Sequence, residues 1–317
     1  MTQFPTKLSD HFRSHHGIVS TSALRRMKIS KATREQLLRS EIIEVVYEGV
    51  YRLRAWPVTF ESRCAALCAA DPTIAISCCS SCRLQGVRGC TSNTIHALTT
   101  RGTLPVKVDG KDVVIHRTTL LPRAHIVRRA DGIRLTKAAR ALLDDARHCE
   151  ALDLESKIED AINRGKCTPQ TLGAMATEMA GRGRRGTVLF ADVLRGRPAW
   201  RRPVGSHPEL VLRDALRRAG LELATQPSLT LPDGRTIHPD LGDDDITFYV
   251  EVDDHAWHGG RTRTTRDNIR DRQAGLGGAM VVRVGTDEVE DTLDAVAAEI
   301  IELHRMRRRQ ILGSTAA

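Results

Sequence analysis

The run Ile246–Val252, ITFYVEV, constrains this chain most, because consecutive β-branched and aromatic residues favour a pleated strand. Acidic residues bracket it: Asp240 lies upstream, and Glu251 and Asp253 lie at its end. A strand of this kind brings Asp240 and Glu251 to one end of a short sheet. Hard divalent cations such as Mg²⁺ take oxygen ligands and usually keep several waters plus phosphate oxygens of a substrate. Phosphodiester hydrolysis is the chemistry such a pair predicts.

The elements around the strand form an ordered series. Ser206 caps a helix from about Pro208 to Ala219, with Leu212, Leu216 and Ala219 inward and Glu209 at the capping-box position. Strand-like stretches follow at 222–226 and 229–231, and Pro232-Asp233-Gly234 turns the chain into 236–240. After the Ile246 strand, a second helix starts near Thr264 and stops before Gly277-Gly278. Residues 279–284 then read as a buried strand, and a last helix places Leu293, Val296, Ala297, Ile300 and Ile301 on one face. The expected order is α-β-β-β-α-β-α.

With Pro239-Asp240, Glu251-Val252-Asp253 and Trp257-His258 in that order, residues 206–303 resemble the PD-(D/E)XK nuclease superfamily, and most closely the very-short-patch-repair-type endonucleases. The resemblance implies a metal held by Asp240 with the carbonyl of Val252 as a second ligand, His258 as base and Glu209 as an assisting acid; the paired-carboxylate reading adds Glu251 as a ligand of Mg²⁺. Asp253 departs from the pattern, since it stands at the superfamily's lysine position, and Asp254 replaces a usual glycine. Carboxylates this close repel one another unless metal or arginine intervenes. Taken singly, Asp240 also reads as a turn cap, Glu209 as a capping acid and His258 as a loop histidine. Trp257, Arg261, Arg263 and Arg266, with Arg270 and Arg272 beyond, are expected to meet DNA; the alternative is a solvated helix paired with Asp267 and Asp271.

A chain of 317 residues accommodates two or three domains, and its formal charge of +9 points to an acidic partner, most commonly a nucleic acid, with an anionic membrane surface the alternative; double-stranded DNA is the partner expected here. No apolar run reaches membrane-spanning length. The start MTQFPTK lacks the pattern of a signal peptide, so a cytoplasmic setting with reduced thiols is expected.

The first 55 residues carry ten Lys or Arg against five Asp or Glu. Helices are predicted at Leu8–His15, at Thr21–Met27 capped by Ser20 or Thr21, and at Lys31–Arg39 capped by Ser30. The short turn between the last two fits a helix-turn-helix that presents Lys31, Thr33, Arg34 and Arg39 to a groove. Residues 42–47 and 50–53 alternate about Glu48-Gly49 as a hairpin wing. From Gly17 through Tyr51-Arg52-Leu53 the chain resembles the winged-helix domain of AbiEi-family antitoxins, which implies binding to its own operator DNA in a type IV toxin–antitoxin system. Winged helices also serve as protein-contact modules, so that alternative stays open.

Residues 56–202 read as an α+β middle part of the same proteins. A helix is expected at Ala65–Ala70, a strand at Thr73–Ser77, a hairpin of 106–108 with 113–117 about Asp109-Gly110, and a helix at Thr136–Ala146. The runs 136–144 and 161–165 are similar to stretches of the AbiEi family. Residues 182–202 hold seven arginines and one aspartate among Gly and Pro, and read as a basic connector or phosphate-contacting loop. Six of the eight cysteines fall between Cys64 and Cys90. Cys64, Cys68, Cys79 and Cys82 form a candidate thiolate site for zinc or an iron–sulfur cluster, against which stands the absence of a double CxxC and the ease with which cysteine packs as a small apolar group.

The chain is therefore expected to be a multidomain α+β and α/β protein. Residues 1–55 form a winged helix-turn-helix, 56–202 an α+β part with a basic linker, and 203–317 a restriction-endonuclease-like αβββαβ unit. Two functions follow: a DNA-binding, Mg²⁺-dependent endonuclease, or a transcriptional repressor or antitoxin on a non-catalytic nuclease fold. Homo-oligomerisation is not specified by these features.

Overall fold

Pro5 opens the first helix, α1 (Thr6–Ser14), whose Leu8 and Phe12 lie one turn apart on the buried face. The computed structural model describes residues 5–102, 112–181, 186–197, 206–253, 269–270 and 272–314. After α1 come β1 (Ile18–Ser20), α2 (Thr21–Arg26) and α3 (Lys31–Arg39), then β2 (Ile43–Tyr47) and β3 (Val50–Leu53). The Ser20 and Ser30 side chains accept the Ala23 and Thr33 amides, so both short helices begin at the expected caps. The three strands form an antiparallel sheet in the order β1-β3-β2. β1 was not expected: three residues are too few for a period-two pattern to register.

The next segment begins with α4 (Phe60–Ala70), which starts five residues earlier than predicted because Thr59 and Ser62 cap each other's backbone amides. It is followed by β4 (Ala75–Ile76), α5 (Cys78–Leu84), β5 (Ile95–Thr99), β6 (Val113–Arg117), β7 (Ile126–Arg128) and β8 (Arg134–Thr136). They form a five-stranded mixed sheet in the order β6-β5-β4-β8-β7. Residues 106–108 lie outside the described residues. β6 pairs in parallel with β5, in register from Ile95↔Val113 to Thr99↔Arg117. Helices α6 (Ala138–Asp145), α7 (Ala151–Asn163), α8 (Pro169–Met179) and α9 (Thr187–Arg195) complete the series. The predicted helix at 136–146 starts late because Thr136 still belongs to β8.

Part of the expected basic connector is ordered structure. α9 buries Phe190 completely, and Arg197 is buried against Glu159, with Nε donating to Oε1 at 2.8 Å. An apolar anchor in an arginine-rich stretch overrides its loop-like composition.

The chain divides into two compact units, 1–157 with 164–196, and 158–163 with 197–317. In the first, one core joins Ile18 and Val50 of the small sheet to Phe60, Cys64, Leu67 and Cys68 of α4 and to Ile74, Ile76 and Ile95. The basic head and the segment after it thus share a core.

The second unit starts at α10 (His207–Arg218), capped by Ser206 as expected, with Leu212 and Leu216 buried. Its strands are β9 (Ala224–Thr225), β10 (Leu229–Thr230), β11 (Thr236–Ile237), β12 (Leu241–Asp243), β13 (Phe248–Asp253) and β14 (Met280–Gly285). β10 and β11 pair only with each other, around the Pro232-Asp233-Gly234 turn. The main sheet runs β14-β13-β12-β9, with β13 and β14 parallel and the other pairs antiparallel. Ile246 is not in the strand: residues 244–246 form a short 3₁₀ turn, and Thr247 takes a left-handed backbone with φ 49° to reverse β12 into β13. Residues 272–276 are helical ahead of β14, and α11 (Thr286–Asp291) and α12 (Leu293–Ser314) close the unit. Among the described residues, no helix is long and apolar enough to cross a membrane.

Candidate functional site

Asp240 ends the approach to β12 and is fixed from two directions. Its Oδ2 accepts the Val252 amide at 2.8 Å, and its Oδ1 accepts Gln226 Nε2 at 3.0 Å. The Gln226 amide also donates to the Asp240 carbonyl at 2.9 Å, and Gln226 adopts a left-handed backbone, φ 51°, to make these contacts. Gly242 is needed one turn of the pleat further on, where an added Cβ would stand 2.4 Å from the Tyr249 ring. These constraints hold Asp240 beside Glu251 and Val252, the residues the sequence reading grouped with it.

The electrostatics of this end of β13 are set by arginine. Glu251 is buried and ion-paired to Arg270 and to Arg283, whose Nη2 lies 3.2 Å from Oε2. Arg283 stands directly across the β13–β14 ladder from Glu251 and also donates Nη1 to Asp253 Oδ2 at 2.6 Å. The Asp253 carbonyl accepts the Thr286 hydroxyl at 3.2 Å. Burial, the largest influence, pushes the Asp240 carboxyl up, and the charge on Asp253 adds to that; the Val252 amide, Gln226 and Arg270 pull it back. Glu209 is buried in the first turn of α10.

As arranged, two of the carboxylates expected at a Mg²⁺ site are partnered by arginine. The ion requires near-octahedral oxygen ligands. Here Glu251 has two guanidinium partners and Asp253 has one, so the positive charge an ion would bring is already supplied. Arg270 is thereby a counter-charge to Glu251 within the protein. Arg272 is exposed. Trp257, His258, Arg261, Arg263 and Arg266 lie outside the described residues.

On the head, Lys31 and Arg39 are exposed on α3, with Lys31 Nζ 3.7 Å from Glu35. Thr33 is half-buried, its hydroxyl 2.8 Å from Ser30 Oγ. Arg34 folds back with its guanidinium 5.8 Å from the centre of the Tyr51 ring and its side chain only 20% exposed. It braces α3 against β3.

The cysteines separate. Cys64 and Cys68 are buried in α4, and Cys68 Sγ contacts the backbone of Arg134. Cys79 and Cys82 lie on α5, where burial pushes the Cys79 thiol up to about 11; Cys82 rises well above its ordinary value, chiefly through its hydrogen bond with Cys90. None of the four belongs to the group that the fold does assemble among the described residues: Cys78, His96, His116 and His148. Sequence reasoning missed these histidines because they are 20 and 32 residues apart, with no ligand-type spacing.

Neither family models nor characterised proteins match this chain.

Proposed function

We propose that the protein binds double-stranded DNA through its basic head, acting as a repressor-type regulator, and that its second unit is a nuclease-like frame whose acidic centre is closed by arginine. The observation that carries this reading is the arrangement of the head. α2 and α3 meet across the short turn 27–30, the antiparallel sheet β1-β3-β2 backs them, and the β2–β3 hairpin turns at Glu48-Gly49. That order is the one a winged helix-turn-helix uses to lay its second helix in a major groove. Lys31 and Arg39 reach solvent from that helix, in a chain of net charge +9. Partner operons of the toxin–antitoxin type suit this head, as the resemblance of residues 17–53 implies.

The reading is tested by the salt dependence of duplex binding. Replacing Lys31 and Arg39 by Ala should lower the log–log slope by about two, at about 0.9 per lost phosphate contact. Arg34→Ala should leave the slope unchanged while lowering stability, since that side chain packs on Tyr51. A slope indifferent to Lys31 and Arg39 removes the head from the interface.

A second reading, a metal-dependent endonuclease, is favoured by one observation. The main sheet of the second unit, preceded by α10 and with helical residues 272–276 between the parallel strands β13 and β14, follows the αβββαβ order and sets Asp240 beside Glu251. Incubating the protein and duplex DNA with Mg²⁺ or Mn²⁺ separates the readings. The regulator leaves DNA intact; cleavage stopped by chelation and by Asp240→Ala establishes the nuclease.

A further inference from the structure

Four parts of the chain distant in sequence converge on one point in the first unit. The donor atoms of Cys78, His96, His116 and His148 all lie within 4.8 Å of one another, and His96 Nδ1 is 3.1 Å from His116 Nε2. We propose that Cys78 Sγ and one ring nitrogen each of His96, His116 and His148 form a tetrahedral binding site for Zn²⁺.

The distances suit that ion. With Zn–N near 2.0–2.1 Å and Zn–S near 2.3 Å, neighbouring ligand atoms of a tetrahedral site are roughly 3.3–3.6 Å apart. The His96–His116 pair, at 3.1 Å, needs to open by only a few tenths of an ångström, and the remaining atoms, within 4.8 Å, close up by side-chain rotation. The frame that positions them is rigid. His96 and His116 sit on the paired strands β5 and β6, where the register opposes His96 to Val114 and Leu98 to His116, so both histidines project from the same face. Cys78 opens α5 with a left-handed backbone, φ 52°, a conformation uncommon outside glycine. It is locked by the Ser77 amide on the His96 carbonyl at 2.8 Å and by the Cys79 amide on Asp145 Oδ1 at 3.0 Å. Asp145 also fixes the fourth ligand, because its carbonyl accepts the His148 amide at 2.8 Å, and Lys157 Nζ holds its carboxylate at 2.8 Å. The strained backbone at Cys78 is the kind of cost that a functional position explains.

The chemistry of the donor set agrees. The three imidazole rings lie 5.1–5.5 Å apart between centres. Burial is the largest influence and lowers all three, with Arg147 acting the same way on each and Asp145 opposing it at His96 and His148; His116 falls to about 4, and the neutral imidazole this favours is the form that binds metal. Arg147 Nη2 points at Cys78 Sγ from 3.8 Å. On binding, the S–H bond breaks, the sulfur pair forms the S–Zn bond and the proton leaves to solvent. Cys78 is buried and His148 exposed, so the ion enters from the His148 side. Four protein ligands leave no open position, which assigns the ion a structural role, joining α5 to β5, β6 and the segment after α6.

The test uses the untagged full chain, stripped with a chelator and titrated with Co²⁺, whose spectrum reports geometry and thiolate ligation. The expected result is one Co²⁺ per chain, displaced by Zn²⁺, with tetrahedral d–d bands and a thiolate-to-cobalt charge-transfer band. Cys78→Ser should remove the charge-transfer band. His148→Ala changes an exposed ligand, so its fold is readily checked by circular dichroism; it should weaken binding by more than about 100-fold, beyond the usual cost of a second-shell change. Cys79→Ser should leave spectrum and affinity unchanged. An octahedral spectrum, less than one Co²⁺ per chain, or His148→Ala binding Co²⁺ like the parent overturns the site, and a band lost with Cys79→Ser but kept with Cys78→Ser moves it to the other thiols.

Discussion

Glu159 and Glu251 show how the same residue pair serves different ends. Each is a buried glutamate held by arginine, Glu159 by Arg197 with both side chains nearly inaccessible, Glu251 by Arg270 and Arg283 whose side chains are about 30% exposed. An isolated buried carboxylate is costly, so breaking the enclosed pair should be expensive. Glu159→Gln or Arg197→Met alone is expected to destabilise the chain by about 3–5 kcal/mol in urea unfolding, whereas Glu159→Met with Arg197→Met should be close to neutral. At Glu251 the pairing is partly open to solvent and worth less. There Arg283→Ala is expected to free Asp253 and to leave Glu251 with Arg270 alone, and the gathered acids should show it as a new Mn²⁺ affinity, measured by calorimetry and absent from the parent chain. If Arg283→Ala binds Mn²⁺ no better than the parent, Arg283 is not what closes the acidic centre.

The helices of the head carry their own pH dependence. On α1, His11 stacks on His15 with ring centres 3.9 Å apart, and burial, followed by His15 and Arg26, lowers His11 to about 4. The folded value lies below the ordinary 6.5, so folding favours the neutral ring. Its contribution is complete above about pH 6.5 and is lost as pH falls toward 4. His15 is lowered too, and its share adds in the same direction. His11→Gln should therefore make the decline in urea midpoint between pH 6.5 and 4 shallower; an unaltered decline excludes the stacked pair as its source. α3 depends on its cap instead: Ser30→Ala removes the acceptor of the Thr33 amide and should cost about 1 kcal/mol, without altering the salt slope of DNA binding.

Across the chain, 48 Lys and Arg outnumber 39 Asp and Glu, and the excess is what a polyanionic partner would meet. Which charges remain available is a separate matter. The sequence alone determined local order: Ser20, Ser30 and Ser206 cap helices where their hydrogen bonds require it, β13 is apolar enough to be a buried strand while β14, expected to be buried, is half-buried over Met280–Arg283, and Glu48-Gly49 turns a hairpin. Those features depend on neighbours within a few residues, so they are written in spacing and composition. It also placed Asp240 beside Glu251, because a strand-and-return of this length leaves little choice of register. Only the tertiary structure decided what each charge faces. Arg34 turns onto Tyr51, Arg197 onto Glu159, and Arg270 and Arg283 onto Glu251, each across a separation that no period reveals. The parallel pairing of β5 with β6 and the left-handed turn into α5 likewise bring Cys78, His96, His116 and His148 together from positions 70 residues apart at the extremes. Side-chain partnership across a fold is set by packing of whole elements, whose long-range contacts leave no local pattern in the chain.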